Sequence, residues 1–309
     1  MSKIAFLFSG QGAQYVGMGK ELAENIKVAA DVFKKADEAL GYSIKKICFE
    51  GSKEELDKTE NTQPAILTTS IAALKAIEEK GIKPDVVAGL SLGEYSALVC
   101  SGAFNFEDAV KLVKKRGKFM QEAVPRGIGT MAAIIGLDID TIKKACEESA
   151  INGLVEIANY NCPGQIVIAG EVKAVETCVE ILKDKGAKKA VMLDVSGPFH
   201  TSMLEPAAEK LYEELKKIEI KNLNTPLITN VTGDYIKSED ISLNLRKQVM
   251  SSVMWEHTIR KMINDGVDTF IEIGPSKVLS GFVKKVDRKL TTFNVEDLKS
   301  LEKVTEALN

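Results

Sequence analysis

Short apolar runs and longer periodic stretches alternate along this chain. "IAFLF" (4–8), "DVVAGL" (85–90), "PLITNV" (226–231), "DTFIEIG" (268–274) and "LTTFNV" (290–295) read as buried strands. Between them lie helical patterns such as "QPAILTTSIAALKAIEEKG" (63–81), closed by Gly81 and then Pro84. Strand and helix in alternation predict an α/β fold. The middle of the chain has its own rhythm. "GTMAAIIGL" predicts a strand, "DIDTIKKACEESA" a helix, and "LVEIANY" and "QIVIAG" two strands joined by "NCPG". "VKAVETCVEILKDKG" then predicts a helix and "AKKAVMLDV" a last strand. The order βαββαβ makes a small antiparallel sheet with two helices on one face. The expected organisation is a ferredoxin-like insert at 127–197 inside a larger α/β subdomain built from 1–126 and 198–309. No internal repeat or low-complexity tract is visible.

Composition narrows the class. A chain of 309 residues, 45% hydrophobic, can bury a sizeable core. The net charge of -3 leaves no general basic surface for nucleic acid. No apolar run approaches the roughly 18 to 20 residues that span a bilayer, and "MSKIAFLFSG" turns polar too quickly for a signal peptide. The five cysteines (48, 100, 146, 162, 178) are scattered and never spaced as CxxC. Neither a disulfide framework nor a metal site is expected, and the cytoplasm is the expected compartment.

The candidate chemistry starts at "VVAGLSLGEYSAL" (86–98). Gly89-Leu90-Ser91-Leu92-Gly93 fits G-x-S-x-G between a strand and a helix, the setting of a nucleophile elbow. Such a turn holds its serine in a strained conformation at a helix N-terminus, where backbone N–H groups favour a developing oxyanion. A serine nucleophile needs a base, and the chain holds only two histidines. His200 lies in the Gly-Pro turn of "VSGPFHTSM". His257 lies in "MWEHTIRKM", which reads as amphipathic helix, so His200 is the favoured partner.

In the helix "AVKLVKKRGKFM" (109–120), Ala109, Leu112, Val113, Phe119 and Met120 form an apolar arc at about 100° per residue. Lys111, Lys114, Lys115 and Lys118 face the other way, but Arg116 projects from the centre of the arc and is expected to be buried. Its partner is either an internal carboxylate or the carboxylate of a substrate, and periodicity does not separate the two. The glycines of "FLFSGQGAQYVGMG" miss the dinucleotide-binding fingerprint, because Tyr15 occupies the third glycine position. A loop that brings a backbone N–H toward Ser91 is the better use of them.

With these residues assembled, the chain resembles the malonyl-CoA:acyl carrier protein transacylases. The resemblance runs through nearly the whole length, in the family's order: "FLFSGQGAQ", "GLSLGEYSAL", "KRGKFMQEAVP", "MAAIIGL", "ANYNCPGQIVIAG", "GPFHTSM", "QVMSSVMW" and "IEIGPSKVL". It implies a hydrolase-like three-layer α/β/α subdomain with a parallel sheet, carrying the ferredoxin-like insert. It also implies a ping-pong cycle that supplies fatty-acid elongation. Ser91 takes malonyl from malonyl-CoA with His200 as base, and the pantetheine thiol of acyl carrier protein collects it. The resemblance assigns an oxyanion hole to the backbone N–H groups of Gln11 and Leu92. It makes Arg116 the malonyl-carboxylate clamp, puts Met120, Met131 and Phe199 around the acyl group, and has the backbone carbonyl of Gln248 orient His200. No permanently bound cofactor is implied; the phosphopantetheine arrives on a transient protein partner.

Two positions depart from the pattern. Leu90 stands where many relatives carry histidine, for which altered packing beside the elbow is expected, and Ser276 replaces a frequent glycine. "VKKVDRK" (283–289) is either a docking patch for an acidic carrier or a solvated helix face. Two other readings stay open: an esterase or thioesterase with an acid between Ser91 and His200, Asp194 included, and an inactive CoA- or acyl-carrier-binding domain.

Overall fold

The computed structural model describes residues 2–125, 127–195 and 197–308. Arg126 and Ser196, which adjoin the expected ends of the insert, lie outside the described residues, as do Met1 and Asn309. Among the described residues there are eight strands: β1 (Ile4–Phe8), β2 (Val86–Gly89), β3 (Gly129–Ile135), β4 (Val155–Cys162), β5 (Gln165–Glu171), β6 (Lys189–Met192), β7 (Thr269–Ile273) and β8 (Thr291–Val295). They form two sheets. One is parallel throughout, in the order β2-β1-β7-β8. The other is antiparallel, in the order β4-β5-β3-β6.

The apolar runs explain the layers. In β1, Phe6 and Phe8 enter one core with the Thr59–Glu78 and Phe106–Ala123 helices, while Ala5 and Leu7 enter another with Trp255, Ile259 and Phe282. Side chains alternate across a strand, so a run apolar at every position needs cover on both faces. Helices therefore cover the parallel sheet on both faces, an α/β/α layering. In the antiparallel sheet, Ala132, Ile134, Ile166 and Ile168 pack under the Ile139–Ser149 and Val172–Asp184 helices. Its other face sends Met131, Val167 and Ala169 into the large core. The strand order of this sheet is the ferredoxin-like one.

One expected strand is missing. "PLITNV" makes a single parallel bridge, Val87 to Leu227, closed by Val87 N–H to Pro226 O (2.9 Å) and Ile228 N–H to Val87 O (3.1 Å). The ladder stops because the next backbone donor, Asn230 N–H, goes instead to the Glu94 carboxylate. Among the described residues no helix is long and apolar enough to cross a membrane.

Candidate active site

Ser91 occupies the turn between β2 and the Gly93–Cys100 helix with φ 53°, in the left-handed region that non-glycine residues avoid. The glycines on either side are required. A Cβ on Gly89 would collide with the Gly93 backbone, and one on Gly93 with the Phe8 carbonyl. Gly10, in the first loop, lies equally close to the Leu90 carbonyl, so that loop rests directly on the elbow. The strain is held from outside: Ser91 N–H donates to Asn230 Oδ1, and Asn230 Nδ2 donates to Gly89 O (2.7 Å).

His200 also has a left-handed backbone (φ 64°), and this turns its ring toward the serine. Its Nε2 lies 2.7 Å from Ser91 Oγ and its Nδ1 3.0 Å from the Gln248 carbonyl. A carbonyl only accepts, so Nδ1 carries the proton and the Nε2 lone pair faces the hydroxyl. Burial, with the Arg116 cation adding to it, pulls the imidazole down to about 4 and keeps it neutral. Among the described residues no carboxylate bonds to His200. Asp194 is exposed at the edge of the cavity, so the acid that an esterase reading requires is absent from the ring. His257 is exposed and meets the Tyr160 ring edge to face, with no bond to Ser91.

Arg116 is 1% exposed. Gly117 beside it lets the Phe106–Ala123 helix lie against the Thr59 backbone. Among the described residues its guanidinium has no ion pair; every partner is neutral. Nη1 donates to Gln63 Oε1 (3.0 Å), Nη2 to Gln248 Oε1 (3.1 Å) and to Ser91 Oγ (3.2 Å), and the Tyr95 ring lies 5.3 Å away. Among the described residues Nε has no hydrogen-bond partner. Burial lowers the affinity of this group for its proton, which Tyr95 and then Glu94 oppose.

The serine opens onto a cavity of about 830 Å³ lined by Gln11, Leu90, Met120, Met131, Phe199 and His200, among others. Arg116 sits behind Ser91 rather than on that wall. Leu92 is fully buried at the start of the Gly93–Cys100 helix. Leu90 packs against the core that holds Trp255 and also lines the cavity. Ser276 takes φ 83°, a conformation suited to glycine; its N–H donates to Glu296 Oε2 (3.1 Å) and its Oγ accepts from Val278 N–H (3.2 Å). Those two bonds offset the strain. In the basic cluster, Lys284 donates to the Arg288 and Leu290 carbonyls, so part of its charge closes the local loop. A second cavity of about 600 Å³ is lined by Gly281, Lys284, Lys285 and Arg288.

Sequence reasoning missed Gln63, Asn230, Asn244 and Glu94. Glu94 is 1% exposed, and burial pushes it up to about 7 against the pull of its donors and Arg116. Its position in a first helical turn gave it the look of an ordinary solvent-facing acid. Asn159 and Asn161 of β4 also line the cavity, and among the described residues Asn161 Oδ1 has no hydrogen-bond partner. A slip in the β4–β5 register on either side of Asn159 and Tyr160 conceals this pair from simple alternation.

Fold and site together define the class: an α/β protein with a nucleophile elbow on which a histidine and a buried arginine converge. The acyl transferase domain family matches residues 5–305, and the chain belongs to that family. It is similar to the malonyl CoA-acyl carrier protein transacylase of Bacillus subtilis, 53% identical over 310 residues, covering all of this chain and 98% of that protein. The crystal structure of the enzyme of the same description from Clostridium perfringens is 54% identical with a TM-score of 0.97, over 99% of this chain and 97% of that one. A malonyl-transacylase solved in complex with a holo type II PKS acyl-carrier protein is 42% identical with a TM-score of 0.97, over 99% and 100%.

Proposed function

We propose that this protein moves malonyl from malonyl-CoA to the pantetheine thiol of an acyl carrier protein through a malonyl ester on Ser91. The observation that carries the reading is a fully buried guanidinium, paired with no carboxylate among the described residues, 3.2 Å from the serine that would bear the acyl group. A charge so placed costs several kcal/mol unless an anion completes it. Malonyl is an acyl group that brings its own carboxylate. Nε, with no hydrogen-bond partner among the described residues, and Nη2, once it exchanges its bond to Ser91 Oγ, are the donors that turn to it.

The chemistry then runs in two halves. His200 Nε2 takes the Ser91 proton as Oγ attacks the thioester carbon. The N–H groups of Gln11 and Leu92 serve as oxyanion donors, a role in which each is worth about 3 to 4 kcal/mol. Coenzyme A leaves with the proton from His200. The carrier's pantetheine thiol gives its proton to the same nitrogen and attacks the ester, and His200 passes that proton to the departing Ser91 Oγ. Met120, Met131 and Phe199 border the acyl group. Asn159 and Asn161, amides facing the cavity, suit a chain that carries amides itself. The 127–197 unit closes this cavity against the part built from 1–126 and 198–309. A reducing cytoplasm fits five free cysteines.

Intact-mass analysis tests the reading. Malonyl-CoA should add one malonyl group, and holo acyl carrier protein should strip it quantitatively. Loss to water at the same rate with and without carrier would identify a hydrolase instead. The acid side of the profile gives a second test. Because the folded imidazole titrates near 4 rather than at 6.5, its base form persists as pH falls. Malonyl loading (kcat/KM) should hold from pH 8 to about 5 and fail as pH approaches 4. A limb centred at 6.5 would mean a solvated His200. The sign for stability is the same: the unfolded chain takes this proton more readily, so folding weakens as pH drops from 6.5 through about 4.

A further inference from the structure

Glu94 performs no step in that cycle, yet it is buried immediately behind it. Among the described residues it makes no ion pair. Three amide donors satisfy it: Asn230 N–H (2.9 Å) and Gln248 Nε2 (3.0 Å) on Oε2, and Asn244 Nδ2 (2.9 Å) on Oε1. The Gln248 contact is the informative one. Both protons of that side-chain amide are used, one on Glu94 and one on the Ser91 carbonyl (2.9 Å). Its oxygen is thereby left to face Arg116 Nη2. Turning the amide over would set oxygen against two oxygens and NH2 against a guanidinium, and all three bonds would be lost. In a fully buried place no water replaces them.

We propose that Glu94 is a positioning residue for acyl selectivity: by fixing which way the Gln248 amide faces, it sets the pose of the Arg116 guanidinium beside Ser91. The proposal rests on the malonyl-transfer reading. It separates two functions of Gln248, whose backbone carbonyl orients His200 while its side chain, held by Glu94, orients the cation. It also assigns a direction to the effect. Damage to the elbow or to His200 slows every acyl group alike, whereas a misplaced guanidinium slows only one that carries a carboxylate.

Two conservative variants separate reach from charge, and neither empties the site. Glu94→Gln keeps the length. Its oxygen can still accept from Gln248 and Asn230, while Asn244 turns its amide to meet the new NH2. Glu94→Asp keeps the charge but draws the carboxylate back by one methylene, out of reach of Gln248. The readout is the ratio of malonyl to acetyl loading (kcat/KM) from the two coenzyme A thioesters. Glu94→Gln should hold the ratio within about threefold, and Glu94→Asp should lower it about tenfold or more, the scale of a lost hydrogen bond to a charged group. In an Arg116→Ala background Glu94→Asp should leave the ratio unchanged, because the coupled partner is gone. Equal losses for malonyl and acetyl in Glu94→Asp, an unmoved ratio, a loss in Glu94→Gln as large as in Glu94→Asp, or a ratio that shifts as much without Arg116 would each overturn the proposal. Wild-type protein that takes up no malonyl would instead remove the malonyl-transfer reading itself.

Discussion

Ser91→Ala protein takes up no malonyl from malonyl-CoA, and its transfer to carrier protein falls by about 10⁴-fold or more, as for removal of other serine nucleophiles. The magnitude follows from the division of labour at the site. The hydroxyl is the atom that becomes acylated, and neither His200 nor Arg116 can stand in for it. The variant should still fold. Alanine meets the same left-handed strain as serine, and the Asn230 brace acts on the backbone N–H, which remains. It should also still bind malonyl-CoA, since only the Ser91 hydroxyl is lost from the cavity lining. Covalent label retained by the alanine protein would take Ser91 out of the mechanism.

Arg116→Ala is expected to cut malonyl loading by about 10²- to 10³-fold, the scale of two charge-assisted hydrogen bonds, while acetyl loading falls much less or rises. Acetyl has no carboxylate to lose a partner, and a less polar site suits it better. Truncation also strips Gln63 and Gln248 of their shared donor, so a moderate loss of stability accompanies the change. Arg116→Lys should rescue little, because a point charge does not reproduce the planar fork that reaches Gln63, Gln248 and Ser91 together. Steady-state loading with both thioesters decides it. Equal losses for malonyl and acetyl would make Arg116 a structural residue.

How much of this was readable in the chain depends on the distance over which each signal acts. The elbow is local: a strand, two glycines and a serine in five positions, each glycine needed for a specific backbone approach. The burial of Arg116 was readable from the helical period alone, because one cation in an apolar arc has a single geometric meaning. Whether its partner is internal or a ligand was not readable, since Gln63 and Gln248 come from distant segments. "PLITNV" misled for a similar reason. Its apolar pattern is that of a strand, but a remote carboxylate claims the Asn230 donor and ends the ladder after one residue. Glu94 went unnoticed because an acid in a first helical turn is ordinary; only the fold shows three donors from 136 to 154 residues away closing over it. The motif-level resemblance named Gln248 for its carbonyl, and the structure adds the role of its side chain.

The central claim is that Ser91 carries the acyl group between donor and acceptor. Its most direct test is peptide mapping of protein quenched with acid shortly after malonyl-CoA is added. The account predicts one malonyl group, on the peptide that contains Ser91, disappearing when holo carrier protein is added before the quench. Malonyl found on a different residue, or carrier protein malonylated while no enzyme-bound ester ever forms, would contradict it.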